Sequence, residues 1–125
     1  MIRKASKKEL MKTLRHPSVL CRIGNKPKKI KCKNNYVATD GVHNLYFIFY
    51  NLGDKCAEWH PVAIREHRIA ARKLIKESLD FMKKLGFKKV FTLIPDKLLS
   101  TRKLAENMGF NQVEDKPTVF ERVLV

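Results

Sequence analysis

Residues 64–85 carry the clearest hydrophobic periodicity in the chain. Apolar side chains recur there at helical spacing and form one stripe: Ile64, Ala71, Leu74, Ile75, Leu79, Met82 and Leu85. This pattern predicts a long amphipathic helix, and Gly86 follows it where helices often end in a left-handed residue. A second helix is predicted at 99–108, with Gly109 in the equivalent place.

The amino-terminal part of the chain predicts two shorter helices. Ser6 and Glu9 have the spacing of a capping box, in which each side chain bonds the backbone N–H of the other residue. A helix is therefore predicted to begin after Ser6. His16-Pro17 interrupts it, and residues 18–23 predict a second short helix.

Short apolar or alternating segments predict seven strands, at residues 1–5, 36–39, 42–50, 55–60, 88–95, 111–114 and 118–124. Asp40-Gly41 is a hairpin signal between the second strand and the third. The strand at 88–95 is apolar on both faces, as a buried parallel strand would be, and it requires a crossover through the long helix. The order of elements predicts an α/β fold with a mixed central sheet. The length of 125 residues and the lack of a repeat predict a single domain over residues 1–125.

Positive charge is concentrated in the amino-terminal third of the chain. The formal net charge is +15, and residues 1–35 hold twelve Lys or Arg against one acid, Glu9. Five of these lysines lie between Lys26 and Lys33, in a connector predicted at 24–35. The asymmetry favours an anionic partner: nucleic acid, a phosphorylated cofactor or an acidic protein surface. A solvated basic face is the alternative. No aromatic residues interleave with the lysines, which argues against stacking on single strands.

The remaining composition predicts a reduced, cytoplasmic protein. The longest apolar run, at 45–50, is far shorter than the roughly 20 residues of a membrane-spanning helix. The first four residues, Met-Ile-Arg-Lys, include two charged side chains and are not followed by the apolar segment of a secretory signal. Cys21, Cys32 and Cys56 are widely spaced and form no C-x-x-C pair. We therefore predict no membrane association.

The element order and three local motifs resemble the GNAT (N-acetyltransferase) superfamily. Glu-Trp-His-Pro at 58–61 is similar to the strand end that precedes the cofactor helix of that superfamily. The next motif is similar to the segment that binds the cofactor pyrophosphate, and it comprises Arg65, Glu66, His67, Arg68, Ile69 and Ala70. Residues 102–110 resemble the helix that ends in Leu-Gly-Phe. Within the superfamily the chain is most similar to small phage-encoded GNAT-like proteins, some labelled head-assembly proteins.

This resemblance implies a single GNAT-like domain that binds acetyl-CoA at residues 65–70. It also implies that the sheet splays between the strands at 55–60 and 88–95 to admit the pantetheine arm, which would bond the backbone of Trp59 and His60. The acetyl group would pass directly to an amine acceptor, whose identity the sequence does not indicate. A phage protein would act in the host cytoplasm or the virion.

Two residues depart from the GNAT pattern. Arg68 stands where the motif has a glycine, so it either adds a ligand for the phosphates or fills their space. Ala105 stands where many GNAT enzymes place a tyrosine general acid. These departures favour an alternative: a non-catalytic adaptor on the GNAT scaffold, acting in virion assembly or on host proteins. A basic protein that engages nucleic acid is a further alternative.

Candidate catalytic residues lie on the strand before the cofactor helix. Alternation places Cys56, Glu58 and His60 on one face of this strand and Trp59 on the other. Glu58 or His60 would suit the general base of a GNAT enzyme, with Glu58 as the first candidate. A salt-bridged carboxylate and a structural histidine are the alternatives. The Trp59 side chain is predicted to lie in the core. No His or Cys spacing resembles a zinc site, so no metal is predicted.

Overall fold

The computed structural model describes residues 1–23 and 33–125, so most of the predicted basic connector lies outside the described residues. The elements, in chain order, are β1 (Ile2–Lys4), α1 (Lys7–Leu14), α2 (Pro17–Ile23), β2 (Asn35–Thr39), β3 (Asn44–Gly53), β4 (Cys56–Val62), a 3₁₀ helix (Arg65–Ala70), α3 (Ala71–Lys84), β5 (Lys89–Leu93), α4 (Leu99–Asn107), β6 (Asn111–Gln112) and β7 (Val119–Val123). We refer to the 3₁₀ helix as the 3₁₀ segment.

The strands form one mixed sheet in the order β1-β2-β3-β4-β5-β7-β6. All neighbouring strands are antiparallel except β4 and β5, which pair in parallel. Parallel neighbours need a crossover, and α3 supplies it. This arrangement confirms the predicted mixed α/β fold.

The main core lies between α3 and one face of the sheet. The buried stripe of α3 comprises Leu74, Ile75, Ser78, Leu79 and Met82. Trp59 of β4 is buried in this core, where its indole N–H donates to Ser78 Oγ at 2.8 Å. Its ring also stacks on Phe110, with 5.7 Å between the ring centroids. The predicted core position of the Trp59 side chain is therefore confirmed.

The predicted helix at 64–85 divides into two parts. Residues Ala71–Lys84 form an α-helix, but Arg65–Ala70 form a 3₁₀ helix. Hydrophobic periodicity did not predict this break because bonds to other parts of the chain hold the first turns. Gly86 and Gly109 adopt positive φ angles of 100° and 90°, as expected of residues that end helices.

The hairpin of β3 and β4 is longer than the sequence predicted. Strand β3 continues to Gly53, past a register irregularity after Asn51, and Asp54 and Lys55 turn the chain with positive φ angles. Strand β4 runs through Pro61 to Val62, although Pro61 was expected to end it. Proline is tolerated where a strand has a free edge, and β4 no longer pairs with β5 at this point.

The capping box predicted at the start of α1 is confirmed. Glu9 N–H donates to Ser6 Oγ at 3.1 Å, and Ser6 N–H donates to Glu9 Oε1 at 2.7 Å. The guanidinium of Arg3 donates to both carboxylate oxygens of Glu9, at 2.9 and 3.2 Å. These bonds from Arg3, together with the bond from the Ser6 backbone, hold the pKa of Glu9 below its ordinary value. Glu9 thus joins β1 to α1 as a carboxylate.

We predict that Glu9→Gln lowers the free energy of unfolding at neutral pH, because it removes the charge that Arg3 pairs with. A carboxyl whose pKa is lowered in the folded state stabilises the fold above its unfolded pKa, and this contribution is lost as the pH falls through the folded pKa. The difference between wild type and Glu9→Gln should therefore shrink on acidification below about pH 4. Urea unfolding between neutral and acidic pH measures this difference. A difference that is constant with pH would contradict the prediction.

Candidate active site

The sheet splits in the middle, between β4 and β5. These strands pair over three residue pairs, from Cys56–Lys89 to Glu58–Phe91, and no further. Beyond this point β4 continues to pair with β3, whereas the chain after β5 stays with β7, since Ile94 N–H donates to the Thr118 carbonyl at 2.8 Å. The GNAT resemblance implied a splayed sheet at this place, and the structure has one.

A cavity of about 850 Å³ occupies the gap between the two halves of the sheet. Helices on both sides contribute to its wall: Leu10 and Leu14 of α1, Ala71 and Ile75 of α3, and Leu104 and Ala105 of α4, with Met108 just after α4. The cavity therefore passes through the sheet from the α1 side to the α3 side. Its wall is mainly apolar, and the polar or charged side chains that line it are His60, Arg68, Thr92, Lys97, Ser100 and Thr101.

His60 lines this cavity, and Glu58 lies beside it. Glu58 Oε1 is 3.1 Å from His60 Nε2, and each of these side chains is about 30% exposed. Strand alternation places both on the face opposite Trp59, as the sequence predicted. Glu58 does not line the cavity, but its carboxylate contacts His60, which does. The pair forms a carboxylate–histidine dyad just where β4 separates from β5.

The 3₁₀ segment is bonded to α2 and to the loop that follows β4. The guanidinium of Arg68 donates to the carbonyls of Ala63, at 3.1 Å, and Ser18, at 3.0 Å. Arg65 N–H donates to Ser18 Oγ at 3.1 Å. Ser18 thus accepts from two residues of the segment. Its bond with Arg65 satisfies a backbone N–H that the first turn of a helix leaves without a partner inside the helix. Arg68 is thereby held against the cavity wall.

The other residues predicted to bind a cofactor lie in different surroundings. Ile69 is 87% exposed, and Arg65 and Glu66 line a separate, smaller pocket of about 290 Å³ beside α2. His67 Nδ1 accepts from Asn44 N–H at 3.1 Å, which joins the segment to the start of β3. Ala70 packs against the main core. Of the predicted residues, the cavity wall includes only Trp59, His60 and Arg68.

Sequence reasoning missed several residues of the cavity wall. Lys97, Ser100 and Thr101 lie around the start of α4, and in sequence they do not differ from other exposed polar residues. Leu10 and Leu14 were expected only as apolar positions of the first helix. Ala105 is buried at the position where the resemblance implies a tyrosine, so no phenol is present there.

Within residues 1–23 and 33–125, no group of three or more His, Cys, Asp or Glu residues could hold a metal ion. No helix in these ranges is long and apolar enough to cross a membrane.

Solved structures match the chain over nearly its whole length. A GNAT-family acetyltransferase from Staphylococcus aureus has a TM-score of 0.76 at 14% identity, covering 100% of this chain and 99% of that one. YncA from Salmonella typhimurium, solved with its cofactor acetyl-CoA, has a TM-score of 0.70 at 16% identity, covering 100% and 94%. The ribosomal-protein-S18-alanine N-acetyltransferase from Escherichia coli has a TM-score of 0.71 at 13% identity, covering 99% and 93%.

No protein-family model matches the sequence, and no curated protein matches it. The structural matches nevertheless establish the class of fold. The chain has the fold of the GNAT N-acetyltransferases, as the resemblance implied.

We predict that Arg68→Ala lowers the free energy of unfolding by about 1–3 kcal/mol, because it removes two hydrogen bonds to partly buried carbonyls. Arg65→Ala is the matched control, since the Arg65 side chain is exposed and only its backbone bonds Ser18. The control should change stability by less than about 0.5 kcal/mol. Urea unfolding measures both variants, and equal effects would mean that the Arg68 bonds do not hold the segment.

Proposed function

We propose that the chain is an acetyl-CoA-dependent N-acetyltransferase that acts on an amine. The cavity through the split sheet is the observation that carries this proposal. A gap between two strands, walled by apolar side chains from three helices, suits an extended arm that must reach from one face of the sheet to the other. The same fold binds acetyl-CoA in the Salmonella structure.

The residues of the cavity wall fit the chemistry of acetyl-CoA. The pantetheine arm alternates short alkyl segments with two amides. The apolar wall along α1, α3 and α4 suits the alkyl segments, and the part of β4 that no longer pairs with β5 offers backbone groups to the amides. The phosphates need cations and hydrogen-bond donors, and Arg68, Lys97, Ser100 and Thr101 supply them. The carbonyls of Ala63 and Ser18 hold the Arg68 guanidinium at the cavity wall. Because Arg68 lines the cavity, we assign it as a phosphate ligand rather than an obstruction.

His60 is the proposed general base, and Glu58 is its positioning residue. Bound acetyl-CoA would supply the activated acetyl group. When His60 Nε2 carries the proton that it shares with Glu58 Oε1, Nδ1 has the lone pair that can take a proton from the acceptor amine. The Glu58 carboxylate then stabilises the imidazolium that forms. The sequence made Glu58 the first candidate for the general base. We assign this role to His60 instead, because His60 lines the cavity.

A non-catalytic adaptor on the same scaffold is the second candidate. The buried Ala105 favours it, since no phenol stands there to protonate a leaving thiolate. Such an adaptor would act in virion assembly or on host proteins, in keeping with the resemblance to phage-encoded GNAT-like proteins. Binding of acetyl-CoA and its turnover distinguish the two candidates.

We predict that acetyl-CoA raises the Tm of the protein by several degrees in physiological salt. A ligand at about 100 times its Kd adds roughly 2.7 kcal/mol to the stability of the folded state. Thermal unfolding with acetyl-CoA measures the shift. ATP and dephospho-CoA are the controls, because a chain of charge +15 binds many anions weakly. An equal shift with ATP, or none with acetyl-CoA, would favour the adaptor.

Once an amine acceptor is identified, kcat can be measured. We predict that His60→Gln lowers kcat by about 10²–10⁴-fold, the usual contribution of a general base. Glu58→Gln should lower kcat less and leave the KM for acetyl-CoA unchanged, because Glu58 lies outside the cavity wall. Steady-state kinetics measure both values. A rise in KM without a fall in kcat for either variant would contradict the assigned roles.

A further inference from the structure

The outer face of α1 is made of cations alone. From residue 7 to residue 15 the exposed side chains are Lys7, Lys8, Lys12 and Arg15, and we name these four residues the α1 basic face. Lys8, Lys12 and Arg15 follow one another at intervals of four and three residues, so they form a single stripe along the helix. The stripe spans about 10 Å at 1.5 Å per residue.

Nearby acids do not neutralise this face. The one acid of α1, Glu9, is bonded by Arg3, by the Ser6 backbone and by the Tyr46 hydroxyl. Among residues 1–23 and 33–125, no ion pair involves any member of the α1 basic face. Lys7 and Lys8 also lie in the first turn, where the helix dipole disfavours positive charge. The charges of Lys7 and Lys8 therefore do not stabilise the helix through its dipole.

Helix α3 provides a comparison within the same protein. It also exposes lysines, but Asp80 lies four residues after Lys76 and four residues before Lys84. Opposite charges at this spacing are neighbours on a helix surface and offset one another. Asp80 therefore offsets part of the exposed positive charge of α3. The acid of α1, Glu9, lies three residues before Lys12, but its carboxylate is already paired with Arg3.

We propose that the α1 basic face binds the phosphate backbone of double-stranded DNA, independently of acetyl transfer. A DNA duplex carries one negative charge per about 1.7 Å of its axis, so several phosphates come within reach of the stripe. The face has no aromatic side chain on which single-stranded bases or RNA loops would stack. It also has no Asn or Gln that would read adenine, so we expect phosphate contacts to dominate binding.

The inner face of the same helix lines the cavity. Leu10 and Leu14 line the cavity, while Lys8, Lys12 and Arg15 are exposed on the other side of α1. DNA bound to α1 would therefore lie outside the cavity wall and leave the cavity open. The two surfaces can then be tested separately.

The test is binding of a fluorescent DNA duplex of mixed sequence, measured by anisotropy between about 50 and 200 mM salt. Four phosphate contacts predict a slope of about −3.6 for log K against log salt. The combined variant Lys8→Gln, Lys12→Gln and Arg15→Gln should reduce this slope by about 2.7 and weaken binding at least tenfold at about 100 mM salt. These side chains are exposed, so the Tm should change little.

The matched control is Lys76→Gln, Lys83→Gln and Lys84→Gln on α3, which removes the same total charge. It should keep most of the affinity and the slope of the wild type. Equal losses in the two variants would overturn the proposal, because net charge alone would then explain binding. Tighter binding of an RNA duplex or of polyglutamate than of DNA would overturn the choice of partner.

Discussion

The rest of the structure depends on the end of pairing between β4 and β5. A sheet normally satisfies its backbone groups by continuous ladders, and here one ladder stops after Glu58–Phe91. The two halves remain bonded to their outer neighbours, β3 and β7, so each half is stable while the gap stays open. The cavity, the position of His60 and the tolerance of Pro61 within a strand all follow from this separation.

The contacts of Trp59 and Arg68 fix the walls of that gap. Trp59 is the first residue of β4 after the last pair with β5, and its indole is bonded to Ser78 and stacked on Phe110. The Trp59 side chain therefore joins β4 to α3 and to Phe110, three residues after the end of α4. Arg68, which also lines the gap, donates to a carbonyl of α2 and to one of the loop after β4. Hydrogen bonds to neighbouring elements therefore hold both Trp59 and Arg68 at the gap.

The two sides of helix α1 differ in the polarity of their side chains. Its inner side chains are apolar and line the cavity, and its outer side chains are cations. The capping box and Arg3 hold the start of the helix, so the lysines of the first turn are tolerated despite the helix dipole. The helix is therefore stable with a basic surface on one side and an apolar cavity on the other.

The sequence alone determined the features that depend on local spacing. These include the apolar stripe of α3, the capping box of Ser6 and Glu9, the glycines after two helices and the alternation that sets His60 opposite Trp59. Such features need only neighbouring residues and one preferred backbone geometry. The resemblance to the GNAT superfamily added the splayed sheet.

Which polar groups come into contact depends on the tertiary structure and not on local sequence patterns. The 3₁₀ start of the long helix depends on Ser18, which lies 47 residues before Arg65 in the chain. Likewise, Lys97, Ser100 and Thr101 reach the cavity because β5 and α4 bring them there, and Glu58 is excluded from it although His60 is not. These outcomes depend on contacts between distant segments, and the local hydrophobic pattern carries no information about such contacts.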